Sequence, residues 1–237
     1  PSEEITDAPD AESVGIVASD FEGLKPTLLV KVGDRVQKGQ PVFQDKKNPG
    51  VNFTAPASGV IEQINRGAKR KFESLVVRVD GNDEKTFATS AASKSVSAKE
   101  HVVDTLVQSG LWTAFRTRPY GKVPRVSSEP AAIFVTAIDT DPLAPSAKFL
   151  IQKKEEAFVE GLLSLAMISD NVHVCVANES DVRVLDHPHI KYHVFNGPHP
   201  AGLPSTHIHF IDPVGPNKTV WHVGYQDVSA VGHLFLE

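Results

Sequence analysis

The hydrophobic rhythm of the chain changes once, and that change limits its fold more than any other feature. Early on, apolar residues come in short β-branched runs at 14–17, 27–32, 41–44, 51–54, 60–64 and 75–79. Turn residues separate them: Gly33-Asp34, Lys38-Gly39, Asn48-Pro49-Gly50, Ser58-Gly59 and Gly81-Asn82. Short strands at this spacing close into a small all-β barrel or sandwich. Past residue 97 the rhythm lengthens. Ser97 and Glu100 form a capping box, Val102, Val103, Leu106 and Val107 follow at helical spacing, and Gly110 stands where a C-terminal cap belongs. An apolar strand over 131–138 leads into a helical stretch over 146–168 with a break near Lys153. Further strands are expected at 172–177, 190–196 and 220–223, then a helix capped by Asp227 and running to Leu234. Alternating strands and helices build a parallel, doubly wound, Rossmann-like sheet. The expected fold class is therefore α/β plus small all-β. A polar tail (1–12) precedes a barrel-sandwich domain (13–85) and an α/β domain (97–235).

Between the two lies Gln108-Ser-Gly-Leu-Trp-Thr-Ala-Phe-Arg-Thr-Arg-Pro-Tyr120. It carries Trp112 and Phe115, then Arg116, Arg118, Lys122 and Arg125 with no acid among them. Linkers are usually small and polar, so this stretch reads either as a packed interdomain loop or as a site.

Composition removes several classes. A net charge of −5 over 237 residues argues against nucleic acid as a partner. The single cysteine, Cys175, leaves no internal disulfide and fits a reducing compartment. No apolar run is long enough to cross a bilayer and no signal-peptide pattern opens the chain. The start at Pro1 and the Leu236-Glu237 ending suggest a fragment of a longer protein.

Two kinds of site are weighed here. Val32-Gly-Asp-Arg-Val-Gln-Lys-Gly-Gln40 followed by Ala55-Pro-Ala-Ser-Gly59 resembles the biotinyl/lipoyl-type barrel-sandwich. Lipoyl carriers place a lysine on the hairpin between these motifs, where Lys46 and Lys47 stand. The flanking Gln44-Asp-Lys-Lys-Asn-Pro49 lacks the carrier signature, so solvated turn lysines are expected. Nine of the ten histidines fall between His173 and His233. His207 and His209 would share one face of a strand but diverge on a helix, and Pro204-Ser-Thr-His207 resembles a helix start. With no cysteine or carboxylate to complete a set, no metal is expected. Neither Gly-x-Gly-x-x-Gly nor Gly-x-x-x-x-Gly-Lys occurs, so the α/β domain lacks the glycine-rich loop that cradles phosphates.

Four stretches carry a family resemblance. They are Gly50-Val-Asn-Phe-Thr-Ala-Pro-Ala-Ser-Gly59, Ser109-Gly-Leu-Trp-Thr-Ala-Phe-Arg-Thr-Arg-Pro119, His199-Pro-Ala-Gly-Leu-Pro-Ser-Thr-His-Ile-His-Phe210 and Trp221-His-Val-Gly-Tyr-Gln-Asp227. Together they resemble the A subunit of the bacterial sodium-translocating NADH:quinone reductases. The resemblance implies the N-terminal portion of a peripheral subunit on the cytoplasmic face of the inner membrane. The implied complex oxidises NADH, reduces ubiquinone and exports Na⁺, with FMN, FAD and iron–sulfur groups on other subunits. Partners would be those subunits, a membrane-embedded one above all. More distantly, the chain is similar to the flavin/NADH subunit of complex I and to the C subunit of the Rnf complex. Those relatives follow Ser-Gly-Leu with a glycine-rich flavin loop. Here Ser109-Gly-Leu111 is followed by Trp112, Thr113, Ala114, Phe115, Arg116 and Thr117, whose side chains fill the space a backbone needs to reach a phosphate. The expectation is a flavin fold without flavin, with no catalytic residue of its own. Either Trp112, Phe115, Arg116, Arg118, Tyr120 and Lys122 lie near quinone, or the chain is a structural module that docks on the membrane subunits.

Overall fold

The computed structural model describes residues 5–87 and 97–236. Residues 5–11 are exposed and carry no regular structure. Seven short strands follow: β1 (Ser13–Val17), β2 (Pro26–Leu28), β3 (Arg35–Val36), β4 (Pro41–Asp45), β5 (Asn52–Thr54), β6 (Gly59–Arg66) and β7 (Phe72–Val79). They form two antiparallel sheets, β1-β7-β6-β3 and β2-β4-β5, facing one another as a barrel-sandwich. Alternation drives this: along β7, Leu75 and Val77 are buried while Arg78 faces water. Phe43 stacks on Phe53 at 4.7 Å and meets Phe72 edge-on at 5.3 Å. The run expected over 27–32 is a strand only to Leu28. There the chain changes sheets, with Leu29 N–H bonding Val42 O and Gly33 N–H bonding Ile61 O.

The second domain opens with α1 (Ala98–Ser109). Ser97 Oγ accepts from Glu100 N–H at 3.2 Å, and Glu100 Oε2 accepts from Ser97 N–H at 3.0 Å. Gly110 ends the helix at φ +84°, and a Cβ there would overlap Thr54 Oγ1 of the barrel-sandwich, so glycine answers two demands. The remaining elements are β8 (Arg116–Arg118), β9 (Ile133–Ala137), α2 (Ala147–Lys153), α3 (Glu155–Ile168), β10 (Val172–Val176), β11 (Ile190–Val194), α4 (Pro204–Ile211), β12 (Val220–Gly224) and α5 (Tyr225–Leu236). The sheet runs β11-β10-β9-β12-β8, parallel except for β8. One face carries Ile133, Val135, Val174 and Trp221 against α1, α3 and α5; the other carries Phe134, Cys175 and Val220 against Ile208 of α4. Helices on both faces of a parallel sheet make it doubly wound. Helices α3 and α5 touch backbone to backbone: a Cβ on Gly161 would overlap Val228 O, and one on Gly232 would overlap Ala157 O.

Several expectations needed correction. Part of the supposed junction loop is β8, an edge strand pairing antiparallel with β12, Arg116 opposite His222 and Arg118 opposite Val220. Its Arg-Thr-Arg sequence shows no apolar alternation because the strand lies at a sheet edge. Asp227 lies inside the first turn of α5, because the helix starts at Tyr225, straight out of β12. Pro204 does start a helix, so His207 and His209 diverge: His207 is buried and His209 exposed. Among the described residues no three His, Cys, Asp or Glu side chains gather as metal ligands, and no helix is long and apolar enough to cross a membrane.

Candidate functional site: the interdomain cleft

After Gly110 the chain makes a short 3-10 turn over Leu111–Ala114 that directs Trp112 and Phe115 inward. They are 1% and 0% exposed, packed with Trp221 at ring separations of 5.3 and 5.6 Å. The Trp112 indole N–H donates to Pro124 O at 3.0 Å. These two aromatics are core, and neither lines the cleft described below.

Arg116 and Arg118 are also turned away from it. Arg116 lies 4.9 Å over the Phe21 ring and donates to Phe115 O at 3.0 Å, to Asp20 O at 3.3 Å and to Thr113 O. Burial pulls the Arg116 guanidinium below its ordinary range, opposed by Asp227 and Asp20, and burial pushes the Asp227 carboxyl up. Arg118 Nε is buried with no protein partner among the described residues. Beyond it the chain reverses tightly. Gly121 N–H bonds Thr117 O at 2.8 Å, and Thr117 N–H bonds Lys122 O at 2.8 Å. At the tip Tyr120 holds φ +84° with 78% of its surface exposed, and Lys122 Nζ sits 5.8 Å from its ring.

That tip forms one wall of a cleft of about 420 Å³ between the domains, a volume typical of a small-molecule site. On the α/β side stand Thr117, Pro119, Tyr120, Lys122, Pro124 and Arg125. On the barrel side stand Phe21, Leu24, Asp45, Lys47, Asn48 and Phe53. Phe21 and Phe53 meet edge-to-face at 4.8 Å, and with Phe53 only 3% exposed the apolar surface on this side comes mainly from half-buried Phe21. The turn between β4 and β5 is tied down. Asn48 is 8% exposed, and its Nδ2 donates to Val123 O at 3.2 Å and to Pro124 O at 3.0 Å. Thr54 Oγ1 donates to Ser109 O at 3.0 Å, a further bond across the domain boundary.

Of the residues expected near a ligand, then, Tyr120 and Lys122 line the cleft. Phe21 and Phe53 were missed, Lys47 was weighed only as a carrier lysine, and Arg125 stood in the basic stretch without being singled out as ligand-proximal. Nothing in the local sequence pairs 21, 47 and 53 with 120–125, and only the cross-domain bonds bring them together. A larger hollow, about 600 Å³, lies between α1 and residues 126–130. Among the described residues Glu100, Asp104 and Glu129 line it with one cation, Lys99, which Glu129 engages at 2.6 Å. It suits an electron-rich ligand less well than the cleft does.

At the carboxyl end of β9, where a doubly wound sheet reverses strand order between β9 and β12, ligands usually bind. Here the chain itself covers that end: Gly202 N–H bonds Thr140 Oγ1 at 2.9 Å, and His199 Nδ1 lies 3.1 Å from Asp141 Oδ1.

Such an architecture defines a class: a barrel-sandwich tied by side-chain hydrogen bonds to a doubly wound sheet that carries no glycine-rich phosphate loop. Within that class the chain belongs to the NqrA family. Residues 1–80 match the NqrA N-terminal barrel-sandwich hybrid domain, and residues 97–237 match the NqrA second alpha/beta domain. It is 50% identical to the A subunit of a Na(+)-translocating NADH-quinone reductase from Marinomonas sp., over 100% of this chain and 53% of the relative. The corresponding subunit of Rhodopirellula baltica is 50% identical over 98% of this chain and 52% of its own length. One from Neisseria meningitidis is 51% identical over 99% and 53%. The chain therefore spans about half the length of the curated relatives it matches.

Proposed function

We propose that this chain is the N-terminal part of the A subunit of a sodium-translocating NADH:quinone reductase and forms part of its quinone region. It is a peripheral element on the cytoplasmic face of the inner membrane, partnered by a membrane-embedded subunit. Flavins and iron–sulfur groups reside on the other subunits, and ubiquinone is the substrate of the complex. No step of the chemistry falls on a nucleophile or redox group of this chain. The names of the relatives support the setting, and the interdomain cleft carries the reading. A planar, apolar headgroup fits against Phe21 and Phe53, while Lys122 and Arg125 face oxygens that accept hydrogen bonds and gain negative charge on reduction. A photoreactive ubiquinone analogue should label residues 119–125 or 21–24 of the assembled complex, and excess ubiquinone should suppress it. Labelling confined to the membrane subunits would overturn the reading.

The exposed Tyr120 tip supports a second reading, a structural module that docks on a neighbouring subunit. On that reading Tyr120→Ala weakens assembly and leaves quinone kinetics of the assembled fraction unchanged.

A further inference from the structure

The turn between β4 and β5 is held unusually firmly for an exposed hairpin. Asp45 Oδ1 accepts the backbone N–H of Lys25 at 3.1 Å and that of Lys47 at 3.0 Å. Asn48 N–H bonds Asp45 O at 3.0 Å, and its side-chain amide spans two carbonyls of the other domain. The backbone of Lys47 is thereby fixed against the opposite wall while its side chain is exposed. Lys46, one residue earlier, does not line the cleft.

Inside the cleft the Lys47 ammonium reaches over the Phe21–Leu24 turn: a Cβ built on Gly23 would lie 4.0 Å from Nζ. Gly23, at φ +74°, leaves the space that a side chain would take. Among the described residues Lys47 Nζ has no ion-pair partner, and the nearby Asp45 already serves two backbone donors through Oδ1. Lys122 projects on the other side. Two ammonium groups without ion-pair partners among the described residues thus face one volume, whose lining also holds Phe21, Phe53 and the carboxylates Glu22 and Asp45. An ammonium at an apolar wall is a strong donor looking for an acceptor.

We propose that Lys47 is a binding residue of the cleft, donating from the barrel-sandwich to a carbonyl oxygen of the planar ligand. The site is then composite: the ligand bridges two domains, and Asn48 sets where the lysine stands. This rests on the quinone reading of the cleft. A point-charge donor with three N–H groups on a flexible stem tolerates small shifts of the ligand, and its charge favours the oxygen as electron density builds there.

The test uses the assembled complex with a short-chain ubiquinone. Lys47→Met should raise KM for the quinone about tenfold with kcat less affected, and Lys47→Arg should recover part of the loss. NADH oxidation by an artificial acceptor and the melting temperature should stay unchanged, as should all parameters of Lys46→Met. If a photoreactive quinone labels the cleft while Lys47→Met binds quinone like the parent, the Lys47 assignment falls and the quinone reading stands. If the cleft is not labelled at all, the reading falls and takes the assignment with it. Equal losses in Lys46→Met and Lys47→Met would reduce the effect to general surface charge and overturn the assignment.

Discussion

The two domains solve the burial problem differently. In the barrel-sandwich the core is aliphatic and phenylalanine, Phe43, Phe53, Ile61, Leu75 and Val77 among them, and residues 5–87 contain no histidine. In the α/β domain the sheet buries His173 and His207 beside Phe134, Cys175 and Ile208. All five buried side-chain polar atoms that lack a partner among the described residues belong to it: Arg118 Nε, Thr136 Oγ1, His207 Nδ1, Trp221 Nε1 and His222 Nε2. Each costs desolvation that no protein bond offsets, of order 1–3 kcal/mol where water does not reach it. One domain is held by apolar burial, whereas the other carries titratable groups out of water. The difference can be broken at four points.

The largest effect is expected where the α/β domain has no room. Gly232→Val puts side-chain carbon onto Ala157 O at the α3–α5 crossing. Overpacking that neither backbone can escape should cost more than about 4 kcal/mol, read as loss of cooperative thermal unfolding. A variant that melts like the parent would mean that the two helices can separate, and that their backbone-to-backbone contact does not limit stability.

How far this was legible beforehand depended on range. The capping box at Ser97 and Glu100 and the helix break expected near Lys153 were written locally, and the structure has both, the break falling at Lys154. Two short strands were not: β3 spans only Arg35–Val36, and β8 has no alternation. Both exist because a distant partner, β6 or β12, supplies the ladder. The junction misled in a similar way. Aromatics beside cations suggested a surface for ligands, but the packing of Trp112 and Phe115 depends on Trp221, a residue far along the chain. The cations sort individually: Arg116 onto Phe21, Arg118 into the domain, Lys122 and Arg125 into the cleft. Half of the cleft comes from the barrel-sandwich, whose turn lysines looked like solvated ones, so no single stretch could reveal it.

Acid should separate the domains next. Burial, with His193 and Lys191 nearby, holds His173 down at about 4, and burial with Arg118 and Arg116 does the same for His222. The unfolded chain takes up these protons near the ordinary 6.5. Stability is therefore complete above about pH 6.5 and falls as pH drops toward 4, by at most about 3 kcal/mol per histidine. Urea midpoints at pH 7 and 4.5, followed by Trp112 and Trp221 fluorescence, should show this loss, and His173→Gln with His222→Gln should flatten it. An unchanged pH slope in the double variant would assign acid sensitivity elsewhere.

A smaller effect is expected at the seam. Asn48→Ala leaves Val123 O and Pro124 O without that donor, although Trp112 Nε1 still serves Pro124 O. A loss of about 1–2 kcal/mol is expected, with faster hydrogen exchange confined to the turn between β4 and β5 and to residues 121–125. Exchange that rises across the whole α/β sheet instead would show that the domains share a single cooperative unit, and the contrast between them would be shallower than drawn.

The smallest stability change belongs to Tyr120, and it separates the two functional readings. A non-glycine residue at φ +84° costs roughly 1 kcal/mol, and its ring, 78% exposed, recovers little of that by burial. Tyr120→Gly relieves the backbone cost but gives the unfolded chain more freedom, so the terms nearly cancel and stability should stay within about 0.5 kcal/mol. On either functional reading Tyr120 is held in that conformation for contact with something outside its own fold. If that contact is the ligand, Tyr120→Gly raises quinone KM and leaves subunit stoichiometry intact, because the ring closes one side of the cleft next to Lys122. If the contact is a neighbouring subunit, the variant chain dissociates from the purified complex on dilution, while the assembled remainder keeps the parental KM. A clear drop in melting temperature would contradict both outcomes, since it would make Tyr120 part of the fold rather than a residue the fold carries for another purpose.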